Sequence, residues 1–283
     1  MDSVKSYIDK IRLSLENIYP SGEIEQFISI IFAHCCQYDR AHLILNKSSN
    51  LSVSQRSQID SILERLKRNE PIQYILGEAT FLDFTFRVAP GVLIPRPETE
   101  ELVYLIKEDY KNRTPSILDI GTGSGCIGIS LSMLITDSKV TAFDISPIAL
   151  EIAAENAFRL KAKVSFKQVD ILNFKPSDHQ KFDIIVSNPP YICEKEKEDM
   201  HANVLTHEPH LALFVDDSDP LLFYRTIAMH GLKMLNTGGR LYFEINAQYG
   251  KETALMLKEL GYADIEIIQD FYQKDRIVKA TLV

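Results

Sequence analysis

"SILDIGTGSG", residues 116–125, is a short apolar run that leads directly into three closely spaced glycines. An apolar run of this length is typical of a buried strand. Glycines after such a strand let the backbone turn tightly and approach a ligand closely, as at the carboxyl edge of open α/β sheets. The spacing differs from the GxGxxG of dinucleotide-binding folds, and it lacks the GK[ST] of phosphate-cradling loops. The stretch therefore predicts the first strand of a sheet and a ligand site at its end.

The residues that follow alternate between strand-like and helical patterns. We predict strands at SILDI, KVTAFDI, KVSFKQVD, FDIIVSNP, GRLYFEIN, ADIEIIQD and RIVKATLV. We predict helices near residues 125–135, 147–160, 218–236 and 249–261. This alternation predicts an α/β fold with a mostly parallel, Rossmann-like sheet and helices on both faces. The last two strands leave no room for a helix between them, so we expect an antiparallel C-terminal hairpin at one edge.

The part of the chain before this sheet divides into two segments. Residues 1–71 carry apolar side chains at helical spacing and end at Pro71, which predicts a small N-terminal helical bundle. Residues 72–97 alternate aromatic and β-branched side chains with polar ones, which predicts a β-hairpin linker. We therefore expect a bundle at 1–71, a linker at 72–97 and the catalytic α/β domain at 98–283.

The composition argues against several function classes. The charged fraction of 25% and the hydrophobic fraction of 45% are typical of soluble globular proteins. The net charge of −8 has the wrong sign for a protein whose main partner is bare nucleic acid. No apolar run approaches the roughly 20 residues that cross a bilayer, and the N-terminus lacks a signal-peptide pattern. We expect a cytoplasmic protein that binds neither nucleic acid directly nor a membrane.

The four cysteines indicate neither a metal site nor a disulfide framework. Cys35, Cys36, Cys126 and Cys193 form no CxxC pair and no zinc-finger spacing. His34 precedes two of them, but neighbouring residues of a helix point in different directions. We expect reduced thiols and no metal.

Two acidic residues indicate what the glycine-rich turn binds. Asp144 ends the second predicted strand, where a carboxylate can accept hydrogen bonds from both hydroxyls of a ribose. Asp170 ends the third, where it can accept one from the amino group of adenine. A ligand with ribose and adenine but no required phosphate points to S-adenosylmethionine. An NAD-type loop and a purely structural turn remain the alternatives at this point.

The run Asn188-Pro189-Pro190-Tyr191, which we call the clamp, follows the fourth predicted strand. Proline has no backbone N–H, so the run offers carbonyl acceptors and few competing donors. The Asn188 side-chain oxygen adds an acceptor, and Tyr191 adds a flat face. Acceptors that draw on both hydrogens of a planar NH2 group direct its nitrogen lone pair toward a methyl donor. A simple proline turn is the alternative, and the glycine-rich turn and Asp144 nearby favour the clamp.

These motifs resemble the amino-methyltransferases that carry an (N/D)PP(Y/F/W) sequence. The whole chain is similar to the peptide chain release factor glutamine methyltransferases, the PrmC/HemK family. The similarity is carried by PIQYILGEATFLDFTFRVAPGVLIPRPETEELV, ILDIGTGSGCIGI and IVSNPPYI, and also by residues 207–213 and 238–244. The segment IPRPETE discriminates best, because DNA and RNA amino-methyltransferases share NPPY but not that segment.

The resemblance implies methylation of the N5 amide of the glutamine in the Gly-Gly-Gln motif of bacterial class-1 release factors, with S-adenosylmethionine as cofactor. It implies cofactor contacts at Gly121, Thr122, Gly123, Ser124, Gly125, Asp144, Asp170, Ile171 and Asn188. It implies that the catalytic and substrate-binding residues are Asn188, Pro189, Pro190 and Tyr191. Arg96 and Glu98 either line the substrate site or fix the junction between domains. The N-terminal bundle is implied to bind the release factor.

Two other functions fit parts of the sequence. A DNA adenine or RNA guanine amino-methyltransferase can use the same clamp, but the acidic balance and the lack of a basic, aromatic-interleaved stretch disfavour it. A non-catalytic binder of S-adenosylmethionine or of a release factor is disfavoured by the intact clamp. Glu244 is expected near the sheet rim without an assigned role. We expect His201, His207 and His210 to be loop and packing residues.

Overall fold

Two units make up the computed structural model, which describes residues 2–177 and 180–283. The first unit contains the chain up to Gly77 together with His201–His207. The second unit contains Glu78–Met200 and Glu208–Val283. Among the described residues, apolar side chains form a separate core in the first unit, and two large cores and a small cluster around Val92 in the second.

The first unit is a helical bundle. Its N-terminal helices are α1 Val4–Leu15, α2 Ser21–Cys36, α3 Arg40–Leu45, α4 Val53–Leu66 and α5 Ile72–Leu76. Ser3 and Ser52 begin α1 and α4, because each side chain accepts a hydrogen bond of 3.2 Å from a backbone N–H of the first turn. The apolar faces of α1, α2 and α4 meet in a core that includes Ile11, Ile31 and Leu63.

The segment after the bundle begins with a helix and continues as a hairpin. Residues 72–76, which we predicted to be extended, form α5 because Pro71 suits a helix start and Gly77 ends the helix with a φ of 75°. Strand β1, Glu78–Phe81, then pairs antiparallel with β2, Phe84–Arg87. This hairpin contributes to a core of the second unit.

A seven-stranded sheet forms the centre of the second unit. The strands that follow the hairpin are β3 Ser116–Ile120, β4 Lys139–Asp144, β5 Val164–Gln168, β6 Phe182–Ser187, β7 Ile192–Cys193, β8 Phe214–Val215, β9 Leu235–Glu244, β10 Tyr262–Gln269 and β11 Asp275–Leu282. The order across the sheet is β10-β11-β9-β6-β3-β4-β5, and β7 pairs with β8 separately. Neighbours run parallel except at β11, which is antiparallel to both β9 and β10. The predicted mostly parallel sheet with an antiparallel C-terminal edge is confirmed.

Helices cover both faces of this sheet. The remaining helices are α6 Pro97–Asp109, α7 Cys126–Leu134, α8 Pro147–Leu160, α9 Ala202–His207, α10 His210–Leu213, α11 Leu222–Met234 and α12 Gly250–Glu259, with 3-10 turns at Glu194–Asp199 and Ala247–Tyr249. Of these, α9 lies in the first unit. Strand side chains alternate between faces. Ile117 and Ile184 therefore pack with α6 and α7, whereas Leu118 and Ile185 pack with α11 and α12.

Strand β9 begins earlier than the sequence predicts. We predicted a strand from Gly239, but β9 starts at Leu235. Leu235 pairs with Phe182 and Arg240 pairs with Ile184, so residues 236–239 lie opposite Asp183 alone. The Asn236 side chain donates to Asp183 at 2.8 Å, and Gly238 adopts a left-handed φ of 77°. The pairing of β6 with β9 is irregular at this point. The glycine pair thus lies inside a strand and does not form a turn before it.

Candidate active site

The carboxyl ends of β3, β4 and β6 border a cavity of about 380 Å³. Of the residues predicted for the site, those that line it are Arg96, Gly121, Thr122, Gly123, Ser124, Asp144, Asp170, Ile171, Asn188, Pro189 and Pro190. Glu98, Gly125 and Tyr191 lie outside this lining. The parallel strands explain the grouping, because residues at their carboxyl ends share one edge of the sheet.

Asp119 of β3 holds the glycine-rich turn in place. This fully buried side chain accepts hydrogen bonds at Oδ2 from the Thr122 hydroxyl at 2.6 Å and from the Gly128 N–H at 3.0 Å. The first bond fixes the turn, and the second satisfies a free N–H in the first turn of α7. Burial raises the pKa of Asp119 to about 7. Sequence reasoning treated Asp119 only as part of the strand.

Asp144 joins the glycine-rich turn to the end of β4. Its two oxygens accept hydrogen bonds from the N–H of Gly123 at 2.8 Å and from the N–H of Ser146 at 2.9 Å. Burial raises the pKa of Asp144, and these N–H groups partly offset the rise. Each carboxylate oxygen has two lone pairs, so both can accept a further hydrogen bond. Asp144 is therefore able to bind a pair of hydroxyl groups in the cavity.

Much of the cavity wall is apolar. The apolar lining includes Phe143, Ile145, Ile148, Ile171, Leu172, Phe223 and Ile227. Asp170 adds a carboxylate, which accepts hydrogen bonds from the Leu172 N–H at 3.0 Å and the Asn173 amide at 2.7 Å. Apolar walls with a few placed polar groups suit a small ligand. The combination of an apolar wall and a carboxylate with remaining lone pairs suits a nucleoside.

The clamp continues directly from β6. The hydroxyl of Ser187 donates to the carbonyl of Ile120 at 2.7 Å, which ties the start of the clamp to β3. Asn188 donates its amide Nδ2 to the hydroxyl oxygen of Thr99 at 3.3 Å. The two prolines that follow have no N–H to donate. The side-chain oxygen of Asn188 is therefore the acceptor that this residue presents.

Tyr191 lies outside the cavity lining. Its hydroxyl donates to Glu244 Oε1 at 3.1 Å, and its carbonyl accepts from the Asn246 amide at 3.1 Å. Its ring packs against one core of the second unit. Burial, and the charge of Glu244, raise the pKa of Tyr191. Stacking of this ring on a substrate amide stays a prediction.

Thr99 is a cavity residue that sequence reasoning missed. It lines the cavity, and its hydroxyl donates to Glu244 Oε2 at 2.6 Å. The segment IPRPETE directed attention to Arg96 and Glu98 instead. Helix α6 begins at Pro97, so Glu98 and Thr99 are adjacent helical residues that point in different directions. The proline marks the helix start, but which of the two residues faces the cavity depends on the packing of α6 against β9.

Arg96 lines the cavity and also anchors the chain before α6. Its Nη2 lies 2.5 Å from Oε1 of Glu208, and the N–H of Ile94 donates to Oε2 at 3.2 Å. The Glu208 side chain is buried, so these two donors satisfy a carboxylate removed from water. Arg96 can therefore both line the cavity and hold the chain before α6 in place.

The three histidines after the clamp do not line the cavity. His207 Nε2 lies 3.3 Å from the Arg68 carbonyl oxygen within the first unit, and the His210 ring packs edge-on against Phe214. In the described part of the chain, no three His, Cys, Asp or Glu side chains are grouped so that they could hold a metal ion. Residues 2–177 and 180–283 also contain no helix long and apolar enough to cross a membrane.

Transfer of a methyl group from S-adenosylmethionine needs a nucleoside site that adjoins acceptors for the group to be methylated. The cavity combines both, and residues 99–216 match the family model described as a methyltransferase small domain. The chain is thus a methyltransferase of the S-adenosylmethionine-dependent class. Residues 8–77 match a second family model, the PrmC N-terminal domain.

The chain belongs to the family of release factor glutamine methyltransferases. It is 48% identical over 281 residues to the release factor glutamine methyltransferase of Bacteroides thetaiotaomicron, with 99% of each chain covered. It is 44% identical over 280 residues to that of Flavobacterium psychrophilum, with 98% of each covered. Among solved structures, a methyltransferase from Pyrococcus furiosus matches with a TM-score of 0.53 at 17% identity, over 77% of this chain and 96% of that one. This last likeness shows a shared fold.

Proposed function

We propose that this chain methylates the side-chain amide nitrogen of the glutamine in the Gly-Gly-Gln motif of bacterial class-1 peptide chain release factors, which act in translation termination. The observation that carries the proposal is the orientation of Asn188. Its NH2 group is used on Thr99, so its oxygen remains to accept a hydrogen bond from an amide NH2. Relatives named as release factor glutamine methyltransferases over nearly the full length support the same substrate.

S-adenosylmethionine, when bound, supplies the methyl group as an electrophilic carbon on a sulfonium. We propose that the glycine-rich turn, residues 121–125, lies against it and that Asp144 accepts hydrogen bonds from its ribose hydroxyls. Asp170 and Ile171 would flank its adenine. The fit rests on the remaining lone pairs of the half-buried Asp144 carboxylate and on the apolar wall beside Ile171.

The clamp has to activate a poor nucleophile, because the lone pair of an amide nitrogen is delocalised into its carbonyl. Asn188 Oδ1 and the carbonyls of residues 188–190 accept hydrogen bonds from the two amide protons. This favours a pyramidal nitrogen whose lone pair projects into the cavity. The same fixed dipoles would stabilise the positive charge that develops on nitrogen as the N–C bond forms and the bond between the methyl carbon and sulfur breaks. The nitrogen would then lose one proton, which leaves a neutral N-methyl amide and a thioether. Most of the remaining rate acceleration would come from holding the glutamine nitrogen and the methyl group in the reacting geometry.

Several finer assignments belong to the same proposal. Arg96, Glu98 and Tyr191 would contact the substrate, with the Tyr191 ring stacked on the glutamine amide. Residues 1–71 would bind the release factor away from its Gly-Gly-Gln motif. The net charge of −8 supports a protein substrate over bare nucleic acid and fits a reaction that takes place in the cytoplasm.

Radiolabelled methyl transfer tests the proposal. The chain is incubated with labelled S-adenosylmethionine and an unmethylated bacterial release factor, and the matched control carries Gln→Ala in the Gly-Gly-Gln motif. We expect label on the first protein and none on the control. Label on an oligonucleotide but not on the release factor would overturn the proposal in favour of a nucleic-acid amino-methyltransferase.

A further inference from the structure

We propose that Glu244 and Thr99 are positioning residues that fix which end of the Asn188 amide faces the substrate. The inference rests on the proposed function, because it concerns how the clamp presents an acceptor to a glutamine NH2 group. Neither residue was assigned a role from the sequence. Both side chains are buried, with exposed fractions of 2% for Thr99 and 1% for Glu244.

A hydrogen-bonded chain connects the three residues. Asn188 Nδ2 lies 3.3 Å from Thr99 Oγ1, and Thr99 Oγ1 lies 2.6 Å from Glu244 Oε2. The residues come from three different elements, since Thr99 is in α6, Glu244 ends β9 and Asn188 follows β6. The fold therefore brings a carboxylate from one strand behind the clamp that follows the neighbouring strand.

The direction of this chain follows from the number of protons available. An ionised carboxylate can only accept, so the single hydroxyl proton of Thr99 must point at Glu244. The Thr99 oxygen can then only accept from Asn188, which requires that Nδ2 face Thr99. An amide that turns its nitrogen toward Thr99 turns its oxygen the other way. The negative charge of Glu244 thereby presents Asn188 Oδ1 as an acceptor.

A neutral side chain at position 244 removes this constraint. A protonated carboxyl or a glutamine amide can donate to Thr99, whose own proton is then free to point at Asn188. The Asn188 amide can then turn over and present its NH2 group to the substrate NH2 group. When two NH2 groups face each other in a buried site, neither finds a hydrogen-bond acceptor. The complex then loses the geometry needed for methyl transfer.

The same carboxylate also holds the other side of the clamp. Glu244 Oε1 accepts the hydroxyl of Tyr191 at 3.1 Å, so its two oxygens are tied to Thr99 and Tyr191 separately. The hydrogen bonds from Thr99 and from Tyr191 therefore both end on the buried Glu244 carboxylate. Loss of the Glu244 charge is therefore expected to loosen Asn188 and Tyr191 together.

The groups around Glu244 determine how readily it loses its charge. They are Thr99 and Glu98 of α6, Tyr191 of the clamp, Cys126 of α7, Tyr224 of α11 and Arg276 of β11. Burial raises the pKa of Glu244, while the Thr99 hydrogen bond, the Arg276 charge and the Tyr191 hydrogen bond lower it. Protonation of Glu244 at falling pH is therefore expected to lower kcat.

Threonine variants give the first test. Thr99→Val removes the hydroxyl at nearly constant volume, and Thr99→Ser keeps it. We expect Thr99→Val to lower kcat on the release factor about 10- to 100-fold, in line with the cost of small misplacements in an active site. The dissociation constant for S-adenosylmethionine should stay within about twofold, and Thr99→Ser should restore most of the turnover. The matched control is Thr253→Val, another buried threonine, whose hydroxyl has no hydrogen-bond partner among the described residues.

The pH profile of Glu244→Gln gives the second test and decides alone if Thr99→Val does not fold. We expect the wild type to lose kcat as the pH falls and Glu244 takes up a proton. Glu244→Gln should have a low kcat that lacks this acidic limb. If the wild type methylates the release factor, a kcat in Thr99→Val equal to that of the wild type would overturn the inference. A pH profile of kcat in Glu244→Gln that matches the wild-type profile would overturn it too. A wild type that methylates no release factor would instead overturn the proposed function.

Discussion

Asp119 and Asp144 lie on the neighbouring strands β3 and β4 and both contact the glycine-rich turn, but they have different roles. Asp119 lies beneath the turn, fully buried, and its Oδ1 has no hydrogen-bond partner among the described residues. Asp144 lines the cavity and keeps lone pairs for a ligand. We therefore assign Asp119 to holding the turn and Asp144 to binding.

The raised pKa of Asp119 leads to a prediction about stability. The folded-state pKa of about 7 lies above the value of about 3.9 for an unfolded aspartate, so the folded chain binds this proton more tightly. The free energy of unfolding that Asp119 contributes by binding this proton is complete below the unfolded pKa and is lost as the pH rises through about 7. We expect the wild type to lose up to about 4 kcal/mol of unfolding free energy relative to Asp119→Asn between these limits.

Urea unfolding of both proteins at pH 5 and pH 8 measures about two-thirds of this difference, roughly 2.6 kcal/mol, because part of it is already lost by pH 5. Comparison with Asp119→Asn cancels the titration of the other groups, because the two proteins share them. A stability difference that stays constant between the two pH values would contradict the burial argument for Asp119.

The residues of the cavity were predictable to different degrees. The glycine-rich turn, Asp144 and Asn188 follow strands of one parallel sheet, so strand prediction alone places them together. Thr99 was not predictable in this way, because its place depends on the packing of α6 against β9. The hydroxyl contact of Tyr191 with Glu244 was also hidden, since it joins residues far apart in the chain.

The junction between β3 and α7 depends on Gly125. Its φ of 84° is in the left-handed region, and a Cβ there would lie 2.6 Å from Ile129 Cδ1 and 3.2 Å from Ala153 Cβ. The left-handed φ and the close approach to Ala153 of α8 therefore favour glycine at residue 125.

Gly125→Ala is expected to destabilise the chain through both strain and contact. We expect a loss of about 2–4 kcal/mol in unfolding free energy, from backbone strain plus overpacking. The matched control is Gly261→Ala, where φ is 93° but no described atom lies within 4 Å of the added Cβ. Urea unfolding should show the larger loss for Gly125→Ala, and equal losses would show that strain alone matters.

Element types were more predictable than their ends. The period of the apolar residues gave the sheet strands and the long helices correctly, but β9 starts at Leu235, within a segment that we predicted to be helix. The glycines at 238 and 239 are ambiguous in sequence, because a bulge and a turn use the same conformations. Only the contact between Asn236 and β6 decides between them.

At the scale of the whole molecule, the first unit exposes apolar side chains that its own core does not use. Ile44 and Leu45 of α3 have exposed fractions of 64% and 82%. Adjacent exposed apolar residues are candidates for partner contact. They offer a way to test the proposed role of this unit in release factor binding.

The double variant Ile44→Ser/Leu45→Ser is expected to raise KM for an intact release factor about tenfold, as for loss of a modest hot spot. Turnover of a short peptide that contains Gly-Gly-Gln should not change, because the cavity is untouched. Phe158→Ser is the matched control, since Phe158 is 86% exposed on α8 of the second unit. An unchanged KM in the double variant would place release factor binding elsewhere.

We propose that the cavity is divided between cofactor binding, centred on Asp144, and substrate activation, centred on Asn188. Asn188→Ala removes the acceptor that aims the amide, so we expect kcat to fall about 10²- to 10³-fold with little change in cofactor affinity. Asp144→Ala removes hydrogen bonds to a charged acceptor, so we expect the dissociation constant for S-adenosylmethionine to rise about 10- to 100-fold.

Titration of S-adenosylmethionine against the wild type and both variants, with kcat measured at saturating cofactor, is the measurement we would make first. We predict a large loss of affinity in Asp144→Ala alone and a large loss of turnover in Asn188→Ala. Equal losses of cofactor affinity in the two variants, or an unchanged kcat in Asn188→Ala, would contradict this division of roles.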